Sequence, residues 1–504
     1  VAPSPRSLPD IQIDPHLTMP IYMQISSRLS ALIQSGELAQ GARLPPIRHL
    51  AQKLRINPMT VAKAYKELAE GGLTEARKGG GTFVSKPAAG NPEETEPRED
   101  EADEKTPGEA EGSLTARLFE LARAPGVIGF TANYPGPDES DVAVFRNHIA
   151  ALASDPAADR FFRYDPPNGR QWLREEISAF LLEAHGFVAR PGDIMITSGG
   201  QQAIDLVART RLRPGDEVIL ERPTYFGAIN AFKQAGARLL EVPLEQDGPD
   251  LDVFERLLRE RRPRLAYLNP TFQNPTGITT SLAKRKAILA LLREHGVPLL
   301  EDDPNSDLRF RGDPVPSFHA LREEGDCIYY ARGFGKAFLP GIRLGFLLAP
   351  ERFRNALALA KTTTDLQSNA FMQGALASWL SAGEWRRVLP RLVAIYAQRQ
   401  EKLVAALRAN MPPEVSFQQP EGGLSLWVTL PPSADNRHVY YRAVHRGVAF
   451  AAGHVFYASR PENGSLRLSF GLVPDDLVEE GGRRLGSLLK DLSDQGERWP
   501  AWMV

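Results

Sequence analysis

Apolar residues recur at helical spacing from Ile21 to Gln34, where Ile25, Leu29, Leu32 and Ile33 share one face. A short helix is expected within Leu44–Leu54, after the Pro45-Pro46 pair. Another is expected over 58–68, with Asn57 placed to cap it and Pro58 at its first position. Leu73–Ala76 and Thr82–Val84 read as strands flanking the tip Arg77-Lys78-Gly79-Gly80-Gly81. The apolar pattern then stops, and residues 88–112 carry no large apolar side chain. Beyond Leu114 short apolar runs alternate with helical stretches. The strand candidates are Ile194–Ser198, Glu217–Glu221, Arg238–Val242, Arg264–Leu268, Val297–Glu301, Cys327–Ala331 and Arg343–Leu348. Helices such as Gln201–Arg211, Leu251–Arg259 and Ser281–His295 intervene. This alternation predicts a mostly parallel sheet covered on both faces. From about Pro390 the order becomes helix, Val415–Gln418, Leu424–Leu430, helix, Gly464–Phe470, helix, which predicts a smaller α+β unit.

Three regions follow: a compact domain over 18–86, a linker over 87–113, and a large domain over 114–494 whose small subdomain occupies about 390–494. Charge sharpens the division. Residues 18–86 hold ten basic side chains against four acidic ones, a local +6. Residues 88–112 hold ten acids against Arg98 and Lys105, a local −8. Such an acidic, apolar-poor stretch cannot bury enough surface to offset its ordering entropy and is expected to be an extended, disordered spacer. Over all 504 residues the net charge is only −2, so any preference for a polyanion must be local. One cysteine, Cys327, excludes an internal disulfide and a cysteine-rich metal site. No metal is expected. Val1 to Arg6 lacks the apolar core of a signal peptide, and no apolar run reaches the ~18 residues of a membrane span. A cytoplasmic chain without membrane contact is expected.

Two short helices across a tight turn, followed by a glycine-tipped basic hairpin, suit a winged helix-turn-helix whose second helix leads into the major groove. A small helical domain with a solvated basic surface gives the same pattern. The segment, however, closely resembles the winged helix of the GntR regulators. The likeness runs through Pro20-Ile21-Tyr22, Gly41-Ala42-Arg43-Leu44-Pro45-Pro46, Arg48, Leu50-Ala51, Thr60-Val61, Ala64-Tyr65 and Gly81-Thr82-Phe83-Val84. It implies that Arg48, Asn57, Thr60 and Lys63, with the wing residues Arg77, Lys78, Gly79, Gly81 and Thr82, meet double-stranded operator DNA. Met59 departs from the small or polar residue usual there. Val61 and Leu68 read as core.

In the large domain, one lysine, Lys336, sits in a glycine-punctuated loop after an apolar run, and Arg343 follows seven positions later. A lysine among apolar groups loses charge readily, and its neutral amine condenses with aldehydes. The arginine can hold an anion beside it. Aldehyde plus phosphate describes pyridoxal 5′-phosphate (PLP). Four further stretches keep company with this loop: Ser198-Gly199-Gly200-Gln201, opening a helix; Tyr225, after the next strand; Asn274, in a Pro- and Asn-rich turn; and Glu301-Asp302-Asp303, at a strand's carboxyl end.

In this order they resemble the fold-type I PLP aminotransferases from about Leu114 to the C-terminus. The resemblance implies that Lys336 forms the Schiff base, Asp302 rather than Asp303 pairs with the ring nitrogen, Asn274 donates to the ring oxygen and Tyr225 stacks. It places Ser198, Gly199, Gly200, Gln201 and Arg343 on the phosphate, Tyr164 on the phosphate of a partner subunit in a homodimer, and Arg467 on the α-carboxylate of an amino acid. Three residues depart from the family: Gly333 and Gly335 stand where serines usually bond the phosphate, and Asn305 where a tyrosine donates to the ring oxygen. Weaker PLP retention and poorer proton transfer are expected. A winged helix of this kind joined by a linker to an aminotransferase-like domain is the layout of the MocR group of regulators. That layout implies a PLP-dependent regulator sensing an amino acid or amine effector; a working aminotransferase carrying a DNA-binding arm is the alternative.

Overall fold

A computed structural model describes residues 21–34, 38, 40–54, 56–70, 73–77, 81–85, 126–136, 139–336, 338–431, 434, 436–461 and 464–494. The expected linker 87–113 lies outside the described residues, as do Lys78 and Gly79. The chain divides into two compact units, the second holding everything from Val127 onward.

The first unit has helices Ile21–Gln34, Ile47–Leu54 and Pro58–Glu70, then strands Thr74–Arg77 and Gly81–Val84. The strands pair antiparallel, with Thr74 opposite Val84 and Arg77 opposite Gly81. Arg43 adds a bridge to Phe83. Ile25, Leu29, Leu50, Val61, Ala64, Leu68 and Val84 interlock as the core. Tyr65 is buried among them, and its hydroxyl donates to Pro45 O at 2.8 Å, as a buried phenol requires. The turn before the third helix is set by Asn57, whose Oδ1 accepts from Met59 N at 2.8 Å.

The second unit is built on an eight-stranded sheet in the order Ile194–Thr197, Gly345–Leu348, Ile328–Gly333, Leu299–Asp302, Leu265–Leu268, Glu217–Arg222, Arg238–Glu245, Gly248–Pro249. Five of these, from Ile328–Gly333 to Arg238–Glu245, run parallel to one another. Gly345–Leu348 is antiparallel to both of its partners. The central strands are buried on both faces, which is why they read as unbroken apolar runs.

Three expectations need correction. The strand expected from Arg343 starts at Gly345, and Arg343 instead closes the turn Pro340–Ile342 at φ 52°. The helix expected from about Pro390 starts at Trp385 and carries Pro390 inside it. The C-terminal sheet (Ser416–Phe417, Ser425–Thr429, Ser465–Ser469, Val448–Ala452) also takes a fifth strand, Ile128–Phe130, from the other end of the unit. That strand pairs parallel with Val448–Phe450. Three residues are too few to show a period of two, so only the partner strand reveals it.

Candidate functional site

Asp302 ends the strand Leu299–Asp302, and Lys336 lies in the turn after the neighbouring strand Ile328–Gly333, with Asp302 in register with Ala331. Both therefore sit at the carboxyl ends of parallel strands, where α/β proteins bind ligands. Tyr267 donates its hydroxyl to Asp302 Oδ2 at 2.7 Å, and the Asn269 side chain donates to the Asp302 carbonyl. Burial raises the Asp302 carboxyl to about 7, against the pull of Tyr267 and Lys336. Burial, helped by the like charges of Arg467 and Arg343, lowers Lys336 to about 7 against the attraction of Asp302. Tyr225 is raised to about 12 by burial and by Asp302, while Arg467 and Arg343 pull it down. Five residues spread along the chain from Tyr225 to Arg467 thus act on one another electrostatically. Asp303 points the other way, as alternation along a strand demands: it accepts from the Tyr330 hydroxyl at 2.7 Å and lies 3.7 Å from Arg332.

Beside Lys336 two loops approach closely at glycines. Gly199 has φ +85°, and a Cβ there would lie 2.9 Å from Arg343 Nη2. A Cβ at Gly333 would lie 3.0 Å from Gly200 N. Arg343 Nη2 donates to Ser198 O at 3.1 Å. The helix Gly200–Arg211 begins here, and its first amides have no partner within the helix. Guanidinium, helix N-terminus and bare glycine backbone together form a cradle for an anion. Gly333 is tied to that geometry, because a serine in its place would push against Gly200.

Arg467 is buried. Its Nη1 donates to Asn274 Oδ1 and its Nη2 to Thr131 O, both at 2.8 Å. Burial lowers its pKa to about 10, partly offset by Tyr225. Asn274 N is fixed by Asn269 Oδ1 at 2.7 Å. Asn305 is buried; its Nδ2 donates to Phe272 O at 3.2 Å while its Oδ1 has no partner.

The structure therefore brings together Lys336, Asp302, Tyr225, Asn274, Gly199, Gly200, Arg343 and Arg467. Two side chains expected at the cradle turn elsewhere. The Ser198 hydroxyl donates to Asp365 at 3.1 Å, and Gln201 Nε2 donates to Gly227 O at 2.8 Å. Tyr164 stands apart from the cluster, 84% exposed. Tyr267, Asn269 and Thr131 were missed by sequence reasoning. A phenol inside the apolar run Leu265–Leu268 was the available signal, since it must find a buried partner.

In the first unit Arg48, Asn57 and Lys63 are exposed, Thr60 and Thr82 are half-buried, and Gly81 is exposed at φ +102°. Lys63 Nζ lies 3.8 Å from the centre of the Tyr22 ring, a cation–π contact that holds it over the first helix. Arg77 closes the hairpin opposite Gly81. Arg43, which sequence reasoning left out, sets its Nε 3.0 Å from where a Cβ at Gly81 would stand, so this cation borders the wing.

A lowered lysine amine, a buried carboxylate facing it, an aromatic side chain and an anion cradle define a PLP-binding domain of the fold-type I aminotransferase class; the residues fit that cofactor. Residues 125–485 match the family described as aminotransferase class I and II, and residues 21–84 match the bacterial regulatory proteins of the gntR family. The chain belongs to the aminotransferase class I and II family and carries a gntR-family DNA-binding domain ahead of it. It is 33% identical to aromatic-amino-acid aminotransferase 1 of Thermococcus litoralis, over 74% of this chain and 90% of that protein. It is 28% identical to the probable rhizopine catabolism regulatory protein MocR of Rhizobium meliloti, over 96% of this chain and 97% of that protein. Among solved structures, LysN, the alpha-aminoadipate aminotransferase of Thermus thermophilus complexed with N-(5′-phosphopyridoxyl)-L-leucine, superposes with a TM-score of 0.70. That match is at 36% identity and covers 76% of this chain and 95% of that one.

Proposed function

We propose that this protein is a PLP-dependent transcriptional regulator whose aminotransferase-like domain senses PLP, an amino acid or an amine and whose winged helix binds operator DNA. One observation carries the reading: a gntR-type domain and a site with a lysine amine lowered to about 7 lie in the same chain. Bound in this site, PLP supplies an aldehyde that condenses with primary amines and a ring that withdraws electrons.

The chain's own residues do the rest. Lys336, whose pKa is lowered to about 7 so that a large share of it is free amine near neutral pH, is the residue that would hold the aldehyde. Asp302 would pair with the ring nitrogen and help it keep a proton. Asn274, its Oδ1 engaged by Arg467, would offer its NH2 to the ring oxygen, and Tyr225 would stack on the ring. Arg343 and the backbone N–H groups of Gly199 and Gly200 would hold the phosphate, joined by Tyr164 from the second copy of a homodimer. Arg467 grips an effector's carboxylate. In the first unit Arg48, Asn57, Thr60, Lys63 and the wing from Arg77 to Thr82 contact the duplex. A site in the cytoplasm follows from work on DNA, and no described helix is long and apolar enough to cross a membrane. Effector binding changes DNA binding only through unequal affinity for two arrangements of the dimer.

Gly333, Gly335 and Asn305 favour sensing over turnover. The alternative, a working aminotransferase, draws support from the 33% identity to an aromatic-amino-acid aminotransferase. Mixing the PLP-loaded protein with amino acids and 2-oxo acids separates the two. The expected outcome is a shift of the cofactor's visible absorbance without sustained product formation. Many turnovers per site would establish the enzyme reading instead.

A further inference from the structure

The hydroxyl of Ser198 is not free to meet an anion, because a half-buried network anchored on one buried lysine already holds it. Lys361 is fully buried and donates to Asp365 Oδ1 at 2.8 Å, Asp365 Oδ2 at 3.0 Å, Gln202 Oε1 at 2.9 Å and Ser368 Oγ at 3.1 Å. Asp365 Oδ2 in turn accepts from Gln202 Nε2 at 2.8 Å and from Ser198 Oγ at 3.1 Å. Ser198 N donates to Gln202 Oε1 at 2.8 Å. Both the amide and the hydroxyl of Ser198 are thus fixed by groups that Lys361 fixes, and its carbonyl is taken by Arg343. What remains for a ligand is the backbone of Gly199 and Gly200. A second sign of constraint follows in the chain. Leu366 stands at φ 60°, ψ −57°, a region a leucine enters only when its surroundings force it. It is the central residue of a tight γ-turn in which Gln367 N donates to Asp365 O at 2.6 Å, so the backbone beside the carboxylate is fixed as well.

We infer that Asp365, clamped by Lys361, is the positioning residue for the anion cradle at Gly199 and Gly200, and that it acts through Ser198 and Gln202 without touching the ligand. Lys361 has a second effect: it balances a carboxylate that would otherwise repel a phosphate. The inference rests on the reading of this cleft as a PLP site.

The test is a titration of the full chain with PLP and with pyridoxal, which lacks the phosphate, followed by visible absorbance. The paired variant Lys361→Met/Asp365→Leu removes both charges together, a replacement that buried ion pairs often tolerate. It is expected to bind PLP about tenfold more weakly, the equivalent of roughly 1.4 kcal/mol, with pyridoxal affinity unchanged. Equal losses for both ligands, or no loss for either, overturn the inference. Gln202→Leu alters no charge and keeps the question decidable if the pair variant is unstable: a PLP-specific loss supports the inference, and unchanged affinity for both ligands refutes it. Ser198→Ala is expected to weaken PLP in the native background and to add nothing in the pair variant. The same loss in both would show the hydroxyl itself on the phosphate and end the positioning argument. A native protein that takes up neither ligand overturns the cofactor reading and this inference with it. A native protein that prefers PLP, beside a pair variant just as selective, overturns the inference alone.

Discussion

Lys336 is chemically useful only as a free amine, and its surroundings decide when it is one. Burial comes first, the guanidinium groups of Arg467 and Arg343 second, and together they bring its pKa to about 7. Below that pH the ammonium cannot attack a carbonyl; above it the amine can. The rate at which the cofactor-free protein captures PLP should therefore rise with pH and level off just above 7, whereas an ordinary lysine would keep climbing towards about 10.4. Stopped-flow absorbance across about pH 5 to 9 reads this directly, and a rate still rising tenfold per unit at the top of that range would contradict the assignment. Sequence made Lys336 visible through its glycines and its distance from Arg343. It did not show that Arg467, far along the chain, sits near enough to push on its charge.

At the scale of elements, the strand Ile328–Gly333 delivers the lysine, and its anchor is Arg332. This guanidinium is buried, pairs with buried Asp307, lies 3.7 Å from Asp303 and donates to Ser306 Oγ at 3.0 Å. Burial would raise the Asp307 carboxyl, but Arg332 and His185 hold it well below the usual carboxylate range. Asp307→Ala leaves the guanidinium buried with one partner fewer and should cost about 3–5 kcal/mol of stability, measured by urea unfolding. A loss under about 1 kcal/mol would mean Asp303 and water suffice. The central strands were legible because a strand buried on both faces must be apolar along its length. The strand Ile128–Phe130 was not, and neither was the turn that takes Arg343 out of its strand.

For the whole molecule, the basic segment 18–86 and the near-neutral whole imply that affinity for DNA comes from local phosphate neutralisation. Arg48 is exposed at the second position of the helix Ile47–Leu54. Arg48→Ala should weaken operator binding and reduce the slope of log affinity against log salt by about 1. An unchanged slope in filter-binding or anisotropy titrations would remove Arg48 from the phosphate contacts. If an effector shifts DNA affinity by some factor, DNA must shift effector affinity by the same factor, which offers a check on coupling that needs no knowledge of its path.

The order of apolar runs, the glycine spacing and the charge blocks already divided this chain into a basic segment suited to a winged helix, an acidic stretch poor in apolar residues, and an α/β body. Those features are local in sequence, and local physics writes them there. Which residues meet was decided only by the tertiary structure. Asp302 faces Lys336 while Asp303 turns to Arg332, Ser198 serves Asp365, and Arg467 closes on Asn274, because strand register and loop packing join positions that no periodicity relates.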